Sequence, residues 1–244
     1  MKKLLRIVDL DKSFGGVHAI NHLSYDVYEG EILGIIGPNG SGKSTCINLI
    51  TGVCVQDSGD IIYENTHLKK QTIPSRAFMG LGRTFQSPKP FTNLTVRDSI
   101  YTIAMLHNKS MKVAAEKADE IIEMVGFTPI AHTLCAKLPI EKRKWLDMAR
   151  VLAIKPKLLM LDECLAGLTP IEMEDSIALV RKINQSGVTI LFIEHVMSAV
   201  TKLCHRVVVL NEGKLLSQGD PVVVMREEAV IKAYLGEDYK HVEN

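Results

Sequence analysis

The run Gly37-Pro38-Asn39-Gly40-Ser41-Gly42-Lys43-Ser44-Thr45 has the spacing G-x-x-x-x-G-K-[ST] and stands between the apolar stretch Ile32-Leu33-Gly34-Ile35-Ile36 and a helix-like segment. Its three glycines let the backbone curl until consecutive N–H groups point inward. That concavity, backed by the positive end of the following helix, suits a polyphosphate. Lys43 is placed to reach the β- and γ-phosphates of a nucleoside triphosphate, and Ser44 to offer its hydroxyl to Mg²⁺. A Gly-rich turn that met the pattern by chance would lack the flanking strand and helix.

Further residues extend this set toward hydrolysis. Asp162 and Glu163 follow the apolar run Leu158-Leu159-Met160-Leu161, at the strand end where open α/β sheets place their ligand crevice. Asp162 is suited to orient Mg²⁺ through its water shell, and Glu163 to polarise an attacking water as general base. Solvated carboxylates ending a strand are the alternative. A second buried-strand pattern, Val188-Thr189-Ile190-Leu191-Phe192-Ile193, ends in Glu194-His195. Beside the same crevice, His195 would hydrogen-bond the γ-phosphate and sense its loss; a lone histidine after a strand can equally be a satisfied structural group. Gln86, in Arg83-Thr84-Phe85-Gln86, can coordinate Mg²⁺ and hold water without adding charge. The expectation is that these side chains, far apart in the chain, converge on one Mg²⁺-bound triphosphate.

The elements that must position them belong to an ordinary globular chain. With 244 residues, 46% of them hydrophobic and 23% charged, a substantial core is available without staples. A formal net charge of +1 and the lack of a basic arm interleaved with aromatics exclude nucleic acid as the main partner. The start Met1-Lys2-Lys3-Leu4-Leu5-Arg6 meets Arg6, Asp9 and Asp11 before a signal-peptide core can form, and no run is long enough to span a bilayer. A cytosolic protein is expected, linked to any membrane through a partner. Five cysteines, Cys46, Cys54, Cys135, Cys164 and Cys204, lack metal-ligand spacing and read as reduced packing thiols.

Strand patterns run over Leu4 to Leu10, Ala19 to Tyr28 and Glu31 to Ile36, an antiparallel sheet feeding the phosphate loop. A helix is expected over Ser44 to Gly52 and a returning strand over Gly59 to Tyr63. Between about Ser87 and Val151 the periodicity turns helical, with Ala114, Ala118, Ile121, Ile122 and Val125 at three-to-four spacing and Gly126 at a helix end. Thr169-Pro170-Ile171-Glu172 starts a helix with an N-cap hydroxyl, a proline at N1 and a glutamate at N3. Gly187 ends it. Strands then follow at Val188 to Ile193 and Arg206 to Leu210, a strand–helix–strand order that signals an α/β crossover.

Taken in order, the phosphate loop, Gln86, Asp162-Glu163 and His195, with a helical insertion between the second and third, resemble the ATP-binding subunits of ABC transporters along nearly the whole chain. Within that family, Phe14-Gly15-Gly16, Gly82-Arg83-Thr84-Phe85-Gln86, Phe91-Thr92-Asn93-Leu94-Thr95-Val96, Ile193-Glu194-His195-Val196-Met197 and Val230-Ile231-Lys232-Ala233-Tyr234-Leu235-Gly236 resemble the ATP-binding subunit of branched-chain amino-acid importers. The resemblance implies an α/β fold: one ATP-binding domain over residues 1–244, with a P-loop NTPase (RecA-like) core. The core and an N-terminal antiparallel β subdomain would take 1–86 and 152–244, and an inserted α-helical subdomain 87–151. It also implies ATP and Mg²⁺ as cofactors, Phe14 stacking on adenine for about 1–3 kcal/mol, and a loop at Ala166-Gly167-Leu168-Thr169-Pro170 crossing to an opposite subunit. The partners implied are membrane-spanning permease subunits received along Ser87 to Leu94, a second ATP-binding subunit and a separate solute-binding protein, with the chain peripheral on the inner face of the cell membrane.

One element departs from the family pattern. In place of a Leu-Ser-Gly-Gly-Gln signature stands Leu138-Pro139-Ile140-Glu141-Lys142, followed by Arg143-Lys144-Trp145-Leu146-Asp147-Met148-Ala149-Arg150. In the family this turn donates N–H groups and a serine hydroxyl to the γ-phosphate held by the other subunit. Pro139 removes a hydroxyl and an N–H, Ile140 adds bulk, and Glu141 adds a carboxylate. Two like charges about 6 Å apart at an effective dielectric near 20 repel by roughly 3 kcal/mol, enough to weaken closure about a hundredfold. Two readings stand open: a reciprocal site that turns over slowly, which favours a heterodimer over a homodimer, or a shifted turn compensated by Lys142, Arg143 or Lys144. Cys164, where the family usually has proline, is expected to change loop stiffness. Other classes weighed are a P-loop small-molecule kinase, for which Gln86 and His195 have no rationale, a soluble repair or translation ATPase, and an ATP-gated clamp with little hydrolysis.

Overall fold

The computed structural model describes residues 2–108 and 110–235; the tail from Gly236 to Asn244, expected to be solvated, lies outside the described residues. In chain order the elements begin with strands β1 (Lys3–Phe14), β2 (Val17–Tyr28) and β3 (Ile32–Ile36), helix α1 (Lys43–Thr51), and strands β4 (Ser58–Tyr63) and β5 (Thr66–His67). Next come α2 (Ile73–Phe78), β6 (Leu81–Arg83), α3 (Val96–His107), α4 (Met111–Met124), α5 (Ile140–Leu152), β7 (Leu158–Asp162) and α6 (Pro170–Gln185). The last are β8 (Thr189–Ile193), α7 (Met197–Leu203), β9 (Arg206–Asn211), β10 (Lys214–Gly219), α8 (Pro221–Val224) and α9 (Glu228–Leu235). The chain divides into two compact units, one formed by the residues through Ile73 and those from Thr189 onward, the other by Pro74–Val188.

In the first unit, β1 and β2 form a long antiparallel hairpin, and β4 pairs with the other edge of β1. Leu5, Ile7, Leu10, Ile20, Leu23 and Val27 are buried on it. The hairpin runs on to Phe14 and Val17, beyond the stretches that alternation alone marks as strand. Its register shifts between Ile7 and Leu10, where Asp9 (φ 46) takes a left-handed conformation, as does His22 (φ 49) on β2; bulges of this kind break the two-residue hydrophobic period. A second set of strands runs in the order β10-β9-β3-β8. β3 is parallel to both β8 and β9. Every residue of β3 and β8 is buried, the continuous apolar texture of parallel strands covered on both faces. β10 returns on β9 through Glu212 (φ 47) and Gly213 (φ 76), a turn whose positive φ values match strand twist.

In the second unit β6 and β7 are parallel, with Leu81 opposite Leu158 and Arg83 opposite Met160. Helices α3, α4 and α5 form between these strands. Thr95 accepts from the Asp98 N–H to cap α3, and Ser110 from the Val113 N–H to cap α4. Ala114, Ala118, Ile121 and Ile122 make the buried face of α4, and Gly126 (φ 74) follows its end. α6 opens with Thr169 and Glu172 in a reciprocal capping box and proline in its first turn, which satisfies N–H groups that the helix leaves over. α5 has Pro139 as its N-cap, with no side-chain cap.

Among the described residues no helix is long and apolar enough to cross a membrane. The five cysteines are free thiols, four buried and Cys54 half-buried.

Candidate functional site

The phosphate loop leaves the C-terminal end of β3. At Gly37 (φ 147) a Cβ would stand 2.1 Å from the Leu210 carbonyl oxygen of β9, and at Gly42 (φ 102) it would stand 2.6 Å from that of Ala19. Only glycine fits a backbone so placed and so turned. Between them Pro38, Asn39, Gly40 and Ser41 form the bend, with the Ser41 N–H donating to Pro38 O at 3.2 Å and the Gly213 N–H to Ser41 O at 3.1 Å. α1 begins at Lys43 with Gly42 as N-cap and no side chain capping it. Lys43 is buried, and its ammonium folds back on the loop, 2.8 Å from Gly37 O and 2.9 Å from Pro38 O. Ser44 is exposed at the helix start and Thr45 half-buried. A bend of this shape, a lysine inside it and an exposed hydroxyl beside it fit a triphosphate with a hard divalent cation.

Two more expected residues lie in the same unit. Glu194 and His195 follow β8, whose Ile193 is paired with Ile35 of β3, so His195 and Gly37 leave the same end of neighbouring parallel strands. His195 is exposed, Glu194 buried. Phe14 ends β1 and is half exposed. Its flank is pinned by Asp57, which takes the Ser13 N–H and the Lys12 ammonium, each at 2.7 Å. Lys12 Nζ lies 5.2 Å from the Phe14 ring centre. The exposed ring is free to stack on a planar group.

The second unit brings its own expected residues together. Parallel pairing of β6 with β7 sets the segment after Arg83 alongside the end of β7, and Thr84 N–H donates to Met160 O at 2.9 Å. Arg83 Nη2 donates to Asp162 Oδ2 at 2.8 Å in a largely buried ion pair. Gln86 Nε2 donates to Glu163 Oε2 at 2.5 Å. The two adjacent carboxylates are therefore held by two side chains three residues apart. Glu163 takes a left-handed conformation (φ 49), which turns its side chain out of the alternation that β7 would otherwise continue. Lys144 of α5, itself buried, donates to Glu163 O at 3.2 Å and to Ala166 O at 2.6 Å. Asp147 of α5 accepts from the Phe85 N–H; its carboxyl is raised by burial, against the lowering influence of Arg150 and of that N–H. Arg83 and Asp147 had no role assigned from the sequence, and Lys144 was expected there only as a cation compensating for Glu141. A charged residue at a position that helical periodicity places on the buried face is the signal that marks Lys144 and Asp147.

The departing turn has a definite geometry. Leu138 is buried and Ile140 nearly half exposed. Glu141 is buried; Oε2 pairs with Lys142 Nζ at 3.2 Å, while Oε1 is buried with no hydrogen-bond partner. Lys142 Nζ also lies 3.6 Å from the centre of the Trp145 ring, a cation–π distance. Arg143 donates to Leu138 O at 2.7 Å and Ala136 O at 2.9 Å. The three cations weighed as compensation are thus already engaged within the unit: Lys142 by Glu141, Arg143 and Lys144 by backbone carbonyls.

Set beside known proteins, residues 20–166 match the family model described as ABC transporter. The chain is 33% identical to LivG of Escherichia coli (strain K12), a high-affinity branched-chain amino acid transport ATP-binding protein, over 96% of this chain and 98% of that one. It is 29% identical to the lipopolysaccharide export system ATP-binding protein LptB of the same strain, over 95% and 97%. Among solved structures it is similar to a nucleotide-free ATP-binding cassette from an ABC transporter (28% identity, TM-score 0.86, 96% of this chain and 100% of that one) and to a cassette in its ADP conformation (27%, 0.87, 97% and 100%). The architecture is the α/β P-loop NTPase fold with an antiparallel β subdomain.

Proposed function

The chain belongs to the ABC transporter family, whose ATP-binding subunits are ATP hydrolases that pair with one another and drive membrane permeases, and from this premise we propose how its residues divide the work. Lys43 and the loop from Gly37 to Thr45 bind the β- and γ-phosphates, the ammonium exchanging Gly37 O and Pro38 O for phosphate oxygens. Mg²⁺ would take the Ser44 hydroxyl beside the phosphate loop, and in the other unit Asp162 and Gln86 are the residues that would serve as its ligands. Phe14 stacks on the adenine. Glu163 takes the proton of the attacking water, oriented by Gln86, and His195 contacts the γ-phosphate. Bound Mg²⁺·ATP supplies the transferable phosphoryl group and the cation that neutralises its charge; the chain's part is positioning and electrostatic stabilisation. The observation that carries this reading is the phosphate loop itself, where two glycines with no room for a Cβ turn the chain around a buried lysine.

The transport system we infer is an importer of branched-chain amino acids or related small solutes, served by a separate solute-binding protein, with this chain on the cytoplasmic face of the membrane. The extent of identity with LivG supports it. The LptB relative, of similar coverage, supports a second reading, an ATP-binding subunit of an export system. The helical segment 87–151 is the proposed permease-facing subdomain. A heterodimer is favoured, because Glu141 and Pro139 stand at the start of α5 where a partner's γ-phosphate would have to approach.

Purification with the membrane subunits, followed by phosphate release with and without a second ATP-binding subunit, tests the assignment. Glu163→Gln should trap ATP and abolish turnover at the chain's own site; an unchanged rate would remove Glu163 from the general-base role. Uptake of labelled leucine into vesicles holding the complex separates the importer reading from the export reading.

A further inference from the structure

We propose that Lys144 is a positioning residue for Glu163: it holds the general base in its left-handed backbone conformation and makes that conformation depend on the first turn of α5. The inference deepens the functional reading above and rests on the role given there to Glu163.

Glu163 is restrained both at its side chain and at its backbone. Its side chain is held at Oε2 by Gln86. Its backbone is held at the carbonyl by the Lys144 ammonium, which also takes the carbonyl of Ala166 at 2.6 Å. The two carbonyls belong to one tight turn, since the Ala166 N–H donates to Glu163 O at 3.3 Å. A glutamate at φ 49 occupies a region that L-residues visit rarely, and such a residue persists only where its surroundings hold it. A buried ammonium bridging the two ends of the turn is such a restraint. Were the turn to relax to the right-handed region, the Glu163 side chain would point elsewhere and leave the Gln86 contact.

The restraint has an address in the chain. Lys144 stands three residues after Glu141 and two after Lys142, on the opening turns of α5. α5 is fixed to the rest of its unit by Arg143 at Leu138 O and Ala136 O, by Trp145 Nε1 at Ser176 Oγ (2.8 Å) and by Asp147 at the Phe85 N–H. A helix moves as a rigid body over such lengths, so a displacement of its first turn is delivered to the Glu163 carbonyl through one side chain. Lys144 thus links the turn that meets a partner's nucleotide to this chain's own hydrolytic carboxylate. A lysine serves where a shorter polar residue would not, because a four-carbon stem spans from the helix to the turn and one ammonium carries three donors.

The test uses the full chain assembled with its partners, comparing wild type, Lys144→Met, Lys144→Arg and Glu163→Gln. Misplacing a general base by about 1 Å lowers turnover by up to roughly a hundredfold. Lys144→Met should therefore lose at least about tenfold in kcat while KM and the dissociation constant for a fluorescent ATP analogue stay within about twofold. Lys144→Arg, which can donate to both carbonyls, should recover a large part of the loss. In the Glu163→Gln background Lys144→Met should add nothing. A Lys144→Met enzyme with kcat near wild type overturns the proposal, as does one whose loss appears equally in ATP affinity. If Lys144→Met does not fold, Lys144→Arg and Lys144→Gln are judged alone, and equal kcat in the two overturns it. A wild-type complex without ATPase activity would instead sink the reading of the site on which this inference rests.

Discussion

Removing the arginine that faces Asp162 should unfold the second unit far more readily than an ordinary surface change. Arg83 Nη2 and Asp162 Oδ2 lie 2.8 Å apart, with side chains only 13% and 8% exposed. Opposite charges at that separation and an effective dielectric near 20 attract by about 6 kcal/mol, much of it offset by the desolvation of both groups. Arg83→Met deletes the attraction and leaves the desolvation of Asp162 in place, so stability should fall by about 3–5 kcal/mol. In a chain of 244 residues each kcal/mol moves the melting midpoint by about 2–4 °C, which predicts a loss of roughly 6–20 °C. Adding Asp162→Asn removes the stranded charge, and the double variant should recover most of the loss. Thermal and urea melts of wild type, Arg83→Met, Asp162→Asn and the double variant close the cycle. On the role proposed for Asp162, Mg²⁺·ATP should raise the midpoint of Arg83→Met by more than that of wild type, since a cation held there would restore positive charge beside it. A coupling energy below about 0.5 kcal/mol would refute the argument, for it would class the pair with exposed ion pairs.

Glu141→Gln keeps the shape of the buried side chain and removes its charge. ATP-dependent self-association of the chain, measured by sedimentation in the Glu163→Gln background, should tighten by about tenfold to a hundredfold, following the roughly 3 kcal/mol repulsion expected of a carboxylate near a γ-phosphate; no change would show that the turn lies away from the nucleotide. His22 carries a pH-dependent contribution. Its pKa is raised, first by the hydrogen bond to Asp9 at 2.8 Å and then by the charges of Asp11 and Asp9. A raised histidine pKa stabilises the fold fully below the unfolded value and loses that effect as pH rises through the folded value. The melting-point gap between wild type and His22→Asn should accordingly be wider near about pH 5.5 than near about pH 8.5. A gap that widens with pH would reverse the sign and remove the Asp9–His22 contact as its source.

Much of this protein is written locally. The phosphate loop was legible because its requirements are met within nine residues: positive φ at Gly37 and Gly42, then a lysine whose stem reaches back over its own loop. The capping box of Thr169 and Glu172 and the buried face of α4 were equally plain, since a capping pair and a helical stripe are short-range patterns. β10 was not, because Lys214-Leu215-Leu216-Ser217-Gln218-Gly219 does not alternate and none of it is buried, and only pairing with β9 makes it a strand. The far ends of β1 and β2 were hidden by bulges. What tertiary structure alone decided is which groups face one another. Arg83 and Asp162 are 79 residues apart, and Lys144 and Glu163 are 19 apart. Their meeting follows from the parallel register of β6 on β7 and from the packing of α5. The sequence names the carboxylates and the phosphate loop; the partners that hold those carboxylates, and the left-handed backbone of Glu163, arise from contacts between distant segments that no local pattern encodes.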